Sequence, residues 1–520
     1  MPSVTPTTAT AKAEPLARLV LQTVARNTAF MLGGQILIKV FAFIFSVYVV
    51  RRLGDAHFGR YSAALAYVAI FAMFTDLGTS ALSVREMARK EENIAWMVPD
   101  IIGLRAVLSF LAIAGITLSA WLLGKTGDIL LGIFVASCGL PLYAFQGPLD
   151  SVMIARERLD WSSAFRVVNQ VVFMTVGAIL LLVGAGYIGL LLASQVGVVA
   201  MGLASVYVVR RVLRLHFERP NPFHWWGLLR VSLPFGIMGV AGFFRSNFAI
   251  VFMSFLLTDA AVGWYSAPYN LILTMLLVAQ SLAVSMYPTL VKEYDSGRGS
   301  IRGTVQRGLR YLLLLSLPIA VGGMLLADRI IILLYGREFA PAIPVMQVLV
   351  WALVPMFLAE LLGRTASTMH LEKRLTRMVI VNAVIGVSLS VGLIFKYGEV
   401  GAALAMVLTR LVGIVLSSVV IGPALLLRGN AGRLLRVAGA GVLMGALVWQ
   451  LRHASFMAAL DGKIALLSMV GTGAVVYGAA ALLLGAITPG EARYIRDIAQ
   501  RTLGKLGRGK TKAAIRHMEP

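Results

Sequence analysis

The chain has 520 residues, of which 58% are hydrophobic and 14% charged, against roughly 45–50% and about 25% in soluble domains. These values indicate an integral membrane protein. The formal net charge of +23 lies in short basic clusters between apolar runs, which excludes a basic globular domain that binds nucleic acid. The single cysteine, Cys138, allows neither an intrachain disulfide nor a cysteine metal cluster, and the six histidines lack metal-ligand spacing.

The chain begins with a polar segment. Residues 1–25 are rich in Thr, Ala and Pro, and no small-residue cleavage site follows a short apolar core. We expect a cytoplasmic segment with a short interfacial helix over 16–24. About fourteen apolar stretches that can cross a membrane follow it. They are 28–50, 60–84, 97–122, 128–149, 164–184, 187–209, 231–256, 263–287, 308–327, 344–363, 376–396, 399–426, 434–451 and 464–486.

The distribution of basic residues predicts the orientation of these stretches. Most of the 47 Lys and Arg residues fall in alternate loops and in the two tails. By the positive-inside rule, these loops and both termini are cytoplasmic in a multi-pass protein of the plasma (inner) membrane. One outer loop runs against the trend, because it contains Arg51, Arg52 and Arg60.

A pattern on the entry to the second apolar stretch recurs later in the chain. Asp-Ala-x-x-Gly-x-Tyr-Ser-Ala occurs at 55–63 and again at 259–267, and Gly-x-x-Gly-x-x-Leu-Ala occurs at 186–193 and 398–405. Both repeats have a shift of about two hundred residues, which indicates a duplicated helical bundle. In this register, Asp76 lies opposite Gln280.

The repeat and the apolar stretches together predict an all-α membrane fold. We expect two pseudo-symmetric six-helix lobes around a central cavity, followed by two C-terminal helices. The predicted parts are the N-terminal segment (1–25), the N-lobe with helices 1–6 (26–215), the C-lobe with helices 7–12 (216–430), helices 13–14 (431–488) and a basic cytoplasmic tail (489–520).

The loops lack the features of an enzyme. They are short, and none contains a phosphate-binding GxxxxGK[ST] pattern or a catalytic constellation. This argues against an ATP-driven pump and against a membrane glycosyltransferase, polymerase or ligase. The polar groups inside the apolar stretches are then the informative ones.

Three basic residues lie near the middle of apolar stretches: Lys39, Arg245 and Arg410. A base that faces lipid at the bilayer centre costs roughly 2.5–3.5 kcal/mol on the insertion scale, so these side chains must face protein or a water-filled cavity. Lys39 and Arg245 occupy nearly equivalent positions in the two repeats. We therefore predict a cationic cavity that binds an anionic substrate, with buried structural ion pairs as the alternative.

Two acids are the possible partners of these bases. Asp76 is a candidate site for a coupled proton or sodium ion, or it forms a bridge to Lys39 or a bond to a neighbouring helix. Glu360 has a closer candidate partner in Arg364, one helical turn away. Arg105, early in helix 3, is expected to extend to the cytoplasmic surface.

Two further sets of polar residues complete the predicted site. The uncharged supporting side chains, whose alternative role is hydrogen bonding between helices, are Gln35, Asn247, Asn270 and Gln280. The possible cytoplasmic gate at the end of helix 2, whose alternative role is a solvated helix cap, consists of Arg85, Glu86 and Arg89.

Several short motifs resemble the polysaccharide transporter family, which includes the Wzx-type flippases of the multidrug/oligosaccharidyl-lipid/polysaccharide exporter superfamily. The motifs are Asn27-Thr28-x-x-x-x-Gly33, Leu53-Gly54-x-x-x-Phe58-Gly59-x-Tyr61, Asp76-Leu77-Gly78 and Arg85-Glu86. The resemblance implies two six-helix lobes around a cationic cavity. In the related lipid II flippases, MurJ, two extra C-terminal helices form a groove for the lipid tail.

The function implied by the resemblance is translocation of a polyprenyl-diphosphate-linked oligosaccharide for cell-surface polysaccharide biosynthesis. The partners would be this lipid, membrane lipids and other polysaccharide assembly proteins, with no cofactor beyond a coupled Na⁺ or H⁺. The alternatives are a lipid II flippase and a multidrug and toxin extruder. A glycan polymerase or ligase, or a membrane scaffold, fits the loops and the central bases less well.

Overall fold

The computed structural model describes residues 8–296, 301–423, 431–454 and 462–486, with side chains from residue 38 onwards except 235, 237–246, 372 and 431. Every main element in these ranges is helical. A helix is expected in lipid, because there is no water to form hydrogen bonds with the backbone and a helix pairs its own N–H and C=O groups. The α-helices are α1 (Thr8–Asp76), α2 (Thr79–Arg89), α3 (Asn93–Leu122), α4 (Asp128–Ser137), α5 (Leu140–Ala155), α6 (Leu159–Leu182), α7 (Gly186–Tyr207), α8 (Trp225–Leu256), α9 (Asp259–Asp295), α10 (Arg302–Leu325), α11 (Ala327–Tyr335), α12 (Ala342–Leu349), α13 (Leu353–Thr368), α14 (Glu372–Ile421), α15 (Ala431–His453) and α16 (Gly462–Leu483).

The predicted all-α membrane class is confirmed. Within the described residues, eleven helical spans are long and apolar enough to cross a membrane. Two of these spans contain a glycine with non-helical dihedral angles, Gly54 in α1 and Gly398 in α14, and each glycine divides its span into two helices. The number of fourteen crossing helices stays a prediction.

The predicted helix over 60–84 is interrupted, which corrects the expectation of one continuous span. Leu77 and Gly78 have φ angles of 41° and 81°, in the left-handed region that ends a right-handed helix. The loop expected before this helix is also largely absent, because the backbone is helical on both sides of Gly54 (φ 74°, ψ 178°). The result is a separate helix over 55–76, the last part of α1, with a backbone break at each end.

The helices cluster into two compact units. The first comprises Met1–Leu53 and Thr75–Leu233, and the second comprises Gly54–Phe74 and Pro234–Pro520. The chain therefore leaves the first unit at Gly54 and returns to it at Thr75. The boundaries of the predicted lobes and tails stay predictions.

Each unit has its own apolar packing. In the first, α6 packs along α7 and α3 along α5, and Met97, Ile101 and Val152 are fully buried between the helices. In the second, α13 packs against α9, α10 and α14, while α15 packs against α10 and α16. These packed helices hold the side chains described next.

Candidate functional site

A buried arginine lies at the centre of a polar cluster in the first unit. Arg105 of α3 is 5% exposed. Its Nε donates to Thr79 Oγ1 at 2.7 Å, and its Nη2 donates to Ser80 Oγ at 2.8 Å and to the carboxylate of Asp76. Gly147 of α5 leaves room for the guanidinium, since an added Cβ would lie 2.6 Å from Arg105 Nη1.

This cluster shows that the expected position of Arg105 at the cytoplasmic surface is wrong. The break after Asp76 turns the chain so that the acid and the first residues of α2 surround the guanidinium. Arg105 then has a charged partner and two hydroxyl partners inside the protein, so its side chain does not need to extend to water. The partner of Asp76 is Arg105, and the predicted bridge from Asp76 to Lys39 is not formed.

The carboxylate of Asp76 is only partly engaged. Its Oδ1 accepts from Arg105 and from both the backbone N (3.2 Å) and the hydroxyl (2.7 Å) of Ser80. Among the described residues, Oδ2 has no hydrogen-bond donor, and the side chain is 39% exposed. The side chain of this acid is therefore only partly enclosed by protein.

A second arginine, in the second unit, has different surroundings. Arg410 of α14 is half-buried and lies within electrostatic reach of Tyr269, Tyr265 and Glu360. The two tyrosine rings are stacked on each other, with centroids 5.7 Å apart. Among the described residues, Arg410 Nε is buried without a hydrogen-bond partner. A buried donor in this state costs free energy that an anionic ligand would recover.

A small cavity lies beside Tyr265 and Thr409, although Arg410 itself does not line it. It has a volume of about 20 Å³ and is lined by Tyr265, Ser390 and Thr409, among others. That volume is near the size of a single water site, so the cavity is too small for a glycan.

The expected pairing of Glu360 with Arg364 is not formed. Arg364 instead lies over the ring of Tyr287, with its Cζ 5.8 Å from the ring centroid. Glu360 contributes to the electrostatic surroundings of Arg410. The contact with the aromatic ring is favourable for Arg364, and it leaves the negative charge of Glu360 free to act on Arg410.

The other predicted central bases are only partly described. Lys39 is exposed. The side chains of Arg245 and Gln35 lie outside the described residues, although both residues lie in helices, α8 and α1. The predicted cationic cavity formed by Lys39, Arg245 and Arg410 therefore stays a prediction.

The supporting polar residues are spread along α8 and α9. Asn247 and Gln280 are half-buried, while Asn270 is exposed and its carbonyl oxygen accepts a hydrogen bond from Thr274 at 2.9 Å. Their supporting role stays a prediction.

The possible cytoplasmic gate forms ion pairs within its own helix. Glu86 Oε1 lies 3.7 Å from Arg85 Nε and 3.8 Å from Arg89 Nη1. Both arginines are well exposed, at 59% and 66% of their side-chain surface. Such pairs contribute little to stability, and a role for them in gating stays a prediction.

Sequence reasoning did not identify Tyr265 and Tyr269 as neighbours of Arg410. A signal was present, because Tyr265 belongs to the repeated pattern at 259–267 and Tyr269 follows one turn later on the same helical face. The spacing along α9 does not show, however, that these two tyrosines lie near Arg410 of α14.

The chain is similar to several known proteins. The family model described as "Polysaccharide biosynthesis protein" matches residues 24–293. Two curated proteins of Haloferax volcanii are similar. The "Probable low-salt glycan biosynthesis flippase Agl15" is 24% identical over 273 residues, 51% of this chain and 56% of that protein. The "Probable flippase AglR" is 21% identical over 407 residues, 76% of this chain and 82% of that protein. The match to Agl15 thus spans little more than half of that relative's length.

Two solved structures share the fold. A "Lipid II flippase MurJ, inward closed conformation" has a TM-score of 0.68 and 14% identity, and the match covers 89% of this chain and all of that one. A multidrug resistance MATE family transporter of the MOP superfamily in an inward-facing conformation has a TM-score of 0.55 and 16% identity, covering 75% and 95%. At these identities the likeness concerns the fold alone.

Proposed function

The chain belongs to the polysaccharide biosynthesis protein family, and on that premise we propose that it is a transporter: a flippase that moves a polyprenyl-diphosphate-linked oligosaccharide across the plasma membrane. The names of Agl15 and AglR, both described as probable flippases, support this proposal. The glycan serves cell-surface polysaccharide biosynthesis, and both termini of the chain are cytoplasmic.

The observation that carries the proposal is the position of Arg410. A diphosphate carries about two negative charges, and a guanidinium binds phosphate oxygens through planar, charge-assisted hydrogen bonds. Arg410 lies deep in a long apolar helix, beside two tyrosine rings, with a buried donor that has no partner among the described residues. Such a group stabilises an anionic headgroup more strongly than a solvated arginine would.

The transport cycle follows from the chemistry of the substrate. The diphosphate is held by Arg410 together with Lys39 and Arg245, while the polyprenyl chain stays in lipid and the glycan stays in water. Alternating access of two pseudo-symmetric lobes then moves the polar part across the membrane. Asp76, whose side chain is 39% exposed, is the proposed site for a coupled Na⁺ or H⁺.

The test is transport of a fluorescent polyprenyl-diphosphate oligosaccharide in vesicles reconstituted with the purified chain. We expect Arg410→Ala to lower the initial rate by about tenfold or more, since charge-assisted hydrogen bonds contribute about 1.5–3 kcal/mol. Arg410→Lys should retain part of the rate, because it keeps the charge but not the planar geometry.

The matched control is Arg452→Ala, which removes another arginine of the second unit. Arg452 pairs with Asp328 at 3.1 Å, away from Tyr265 and Tyr269 in the described contacts. Its transport rate should equal that of the parent.

Equal rates for Arg410→Ala and the parent would contradict the proposed site. Transport of cationic drugs without transport of lipid-linked glycan would favour a multidrug extruder. A strict requirement for a peptidoglycan precursor would identify a lipid II flippase.

A further inference from the structure

The two copies of the repeated pattern meet in the second unit. One copy, 55–63, begins the 55–76 helix, and the other, 259–267, begins α9. The helices cross at Gly59 and Gly263. An added Cβ on Gly59 would overlap the main-chain oxygen of Asp259, and one on Gly263 would overlap that of Asp55. Only glycine permits this approach of the two backbones.

The crossing is held by two reciprocal side-chain contacts. Arg60 Nε donates to Asp259 Oδ2 at 2.8 Å, and Trp264 Nε1 donates to Asp55 Oδ2 at 2.9 Å. In each copy, the residue after the glycine donates to the acid that begins the other copy. We name this group of residues the clasp: Asp55, Gly59, Arg60, Asp259, Gly263 and Trp264.

The helix on one side of the clasp is delimited by breaks in the backbone. Gly54 precedes it, and Leu77 and Gly78, both with positive φ, follow it. The chain on either side belongs to the first unit, whereas Gly54–Phe74 belongs to the second. Positions where the dihedral angles leave the helical region are those at which rotation of a helix is absorbed.

The ion pair of the clasp is accessible to water. The side chains of Arg60 and Asp259 are 29% and 28% exposed. A pair in this environment contributes little net stability and can separate at a modest cost in free energy. The pair also gives an acidic partner to Arg60, one of the basic residues that depart from the predicted positive-inside trend.

We propose that the clasp is a latch on the outer side of the membrane, which holds the 55–76 helix against α9 in this conformation and opens once in each transport cycle. The proposal rests on the proposed flippase function. The latch is connected to the substrate site through α9, because Trp264 is followed directly by Tyr265, which lies within electrostatic reach of Arg410.

The first test locks the latch after folding. Arg60→Cys and Asp259→Cys are combined with Cys138→Ala, which removes the native cysteine, and the pair is closed with a short thiol cross-linker that a reductant cleaves. We expect transport to fall about tenfold or more on closure and to recover on reduction. The matched control is Arg452→Cys with Asp328→Cys, an ion pair of the same unit with exposures of 33% and 31%, which should transport normally when closed.

The second test measures opening without transport. Ser62 and Ser266, equivalent residues in the two copies, are buried at 9% and 2% exposure. Each is changed to cysteine and labelled from outside with a membrane-impermeant thiol reagent. Arg60→Asp should increase the labelling rate about tenfold, and Arg60→Asp with Asp259→Arg should restore slow labelling. Arg452→Asp should leave labelling unchanged.

The outcomes separate the latch from the function. Full transport by the locked protein, or equal labelling with and without Arg60→Asp, would show that the clasp is a permanent join and would overturn the latch. Loss of transport in the locked control as well would show general rigidification and would overturn it too. If the labelling pattern is as expected but no lipid-linked glycan is moved, the latch stands and the proposed substrate is wrong.

Discussion

Two arginines inside apolar helices, one in each unit, have opposite surroundings. Arg105 is 5% exposed, and its guanidinium contacts a carboxylate and two hydroxyls. Arg410 faces two tyrosines and keeps a buried nitrogen without a partner among the described residues. A buried charge that a carboxylate and two hydroxyls of the protein already bind stabilises a local structure, whereas one with a buried donor left unpaired is available to a ligand. This difference supports a structural role for the first arginine and the proposed binding role for the second.

The largest effect should come from removing the satisfied arginine. Arg105→Ala leaves the carboxylate of Asp76 and two hydroxyls without their shared donor, and we expect a cost of about 3 kcal/mol, at the lower end for a buried pair because Asp76 is 39% exposed. We expect a lower midpoint of thermal unfolding in detergent and less folded protein in the membrane. Arg105→Lys keeps the charge but loses the forked geometry, so its unfolding midpoint should lie between those of the parent and of Arg105→Ala. A parental unfolding midpoint for Arg105→Ala would contradict the comparison.

The second prediction concerns the unsatisfied arginine. Arg410→Met replaces it with an apolar side chain of similar length, which removes a partly buried charge whose Nε has no partner among the described residues and so relieves the cost of desolvating that charge. We expect the unfolding midpoint to stay equal or rise while transport of the lipid-linked glycan is lost. Arg105→Met, measured in parallel, should lose stability. A fall in stability of both variants to the same extent would abolish the distinction between the two arginines.

The sequence was sufficient for the fold class but not for the contacts of the charged side chains. Composition and the length of the apolar stretches predict a helical membrane protein, because a segment in lipid must be apolar and must pair its backbone groups internally. The repeat at 55–63 and 259–267 indicated a duplication, but the contact between its two copies is seen only in the structure. It did not predict the partner of Asp76, since the pairing with Arg105 depends on a backbone break at Leu77 that a run of apolar residues conceals. Side-chain partners on different helices follow from packing, which spacing along one helix does not specify.

The third prediction tests whether the satisfied cluster also has a transport role. Asp76→Asn removes the negative charge but keeps an oxygen that can accept from Arg105 and Ser80. We expect a loss of stability of about 1–2 kcal/mol, from the weaker hydrogen bond to a charged group. If Asp76 holds the coupled ion, transport by this variant should no longer respond to a Na⁺ or H⁺ gradient imposed across the vesicle membrane. An unchanged response to both gradients would limit Asp76 to the structural role that its contact with Arg105 indicates.

The smallest effect should come from an arginine that is satisfied but accessible. Arg452 of α15 donates to the main-chain oxygen of Leu325 at 2.7 Å and to Asp328 at 3.1 Å. The side chains of Arg452 and Asp328 are 33% and 31% exposed, so water can solvate both charges when the ion pair is lost. We expect Arg452→Ala to reduce the free energy of unfolding by less than about 1 kcal/mol, with parental transport. A loss as large as that of Arg105→Ala would mean that the number of partners, rather than burial, determines what an arginine contributes in this protein.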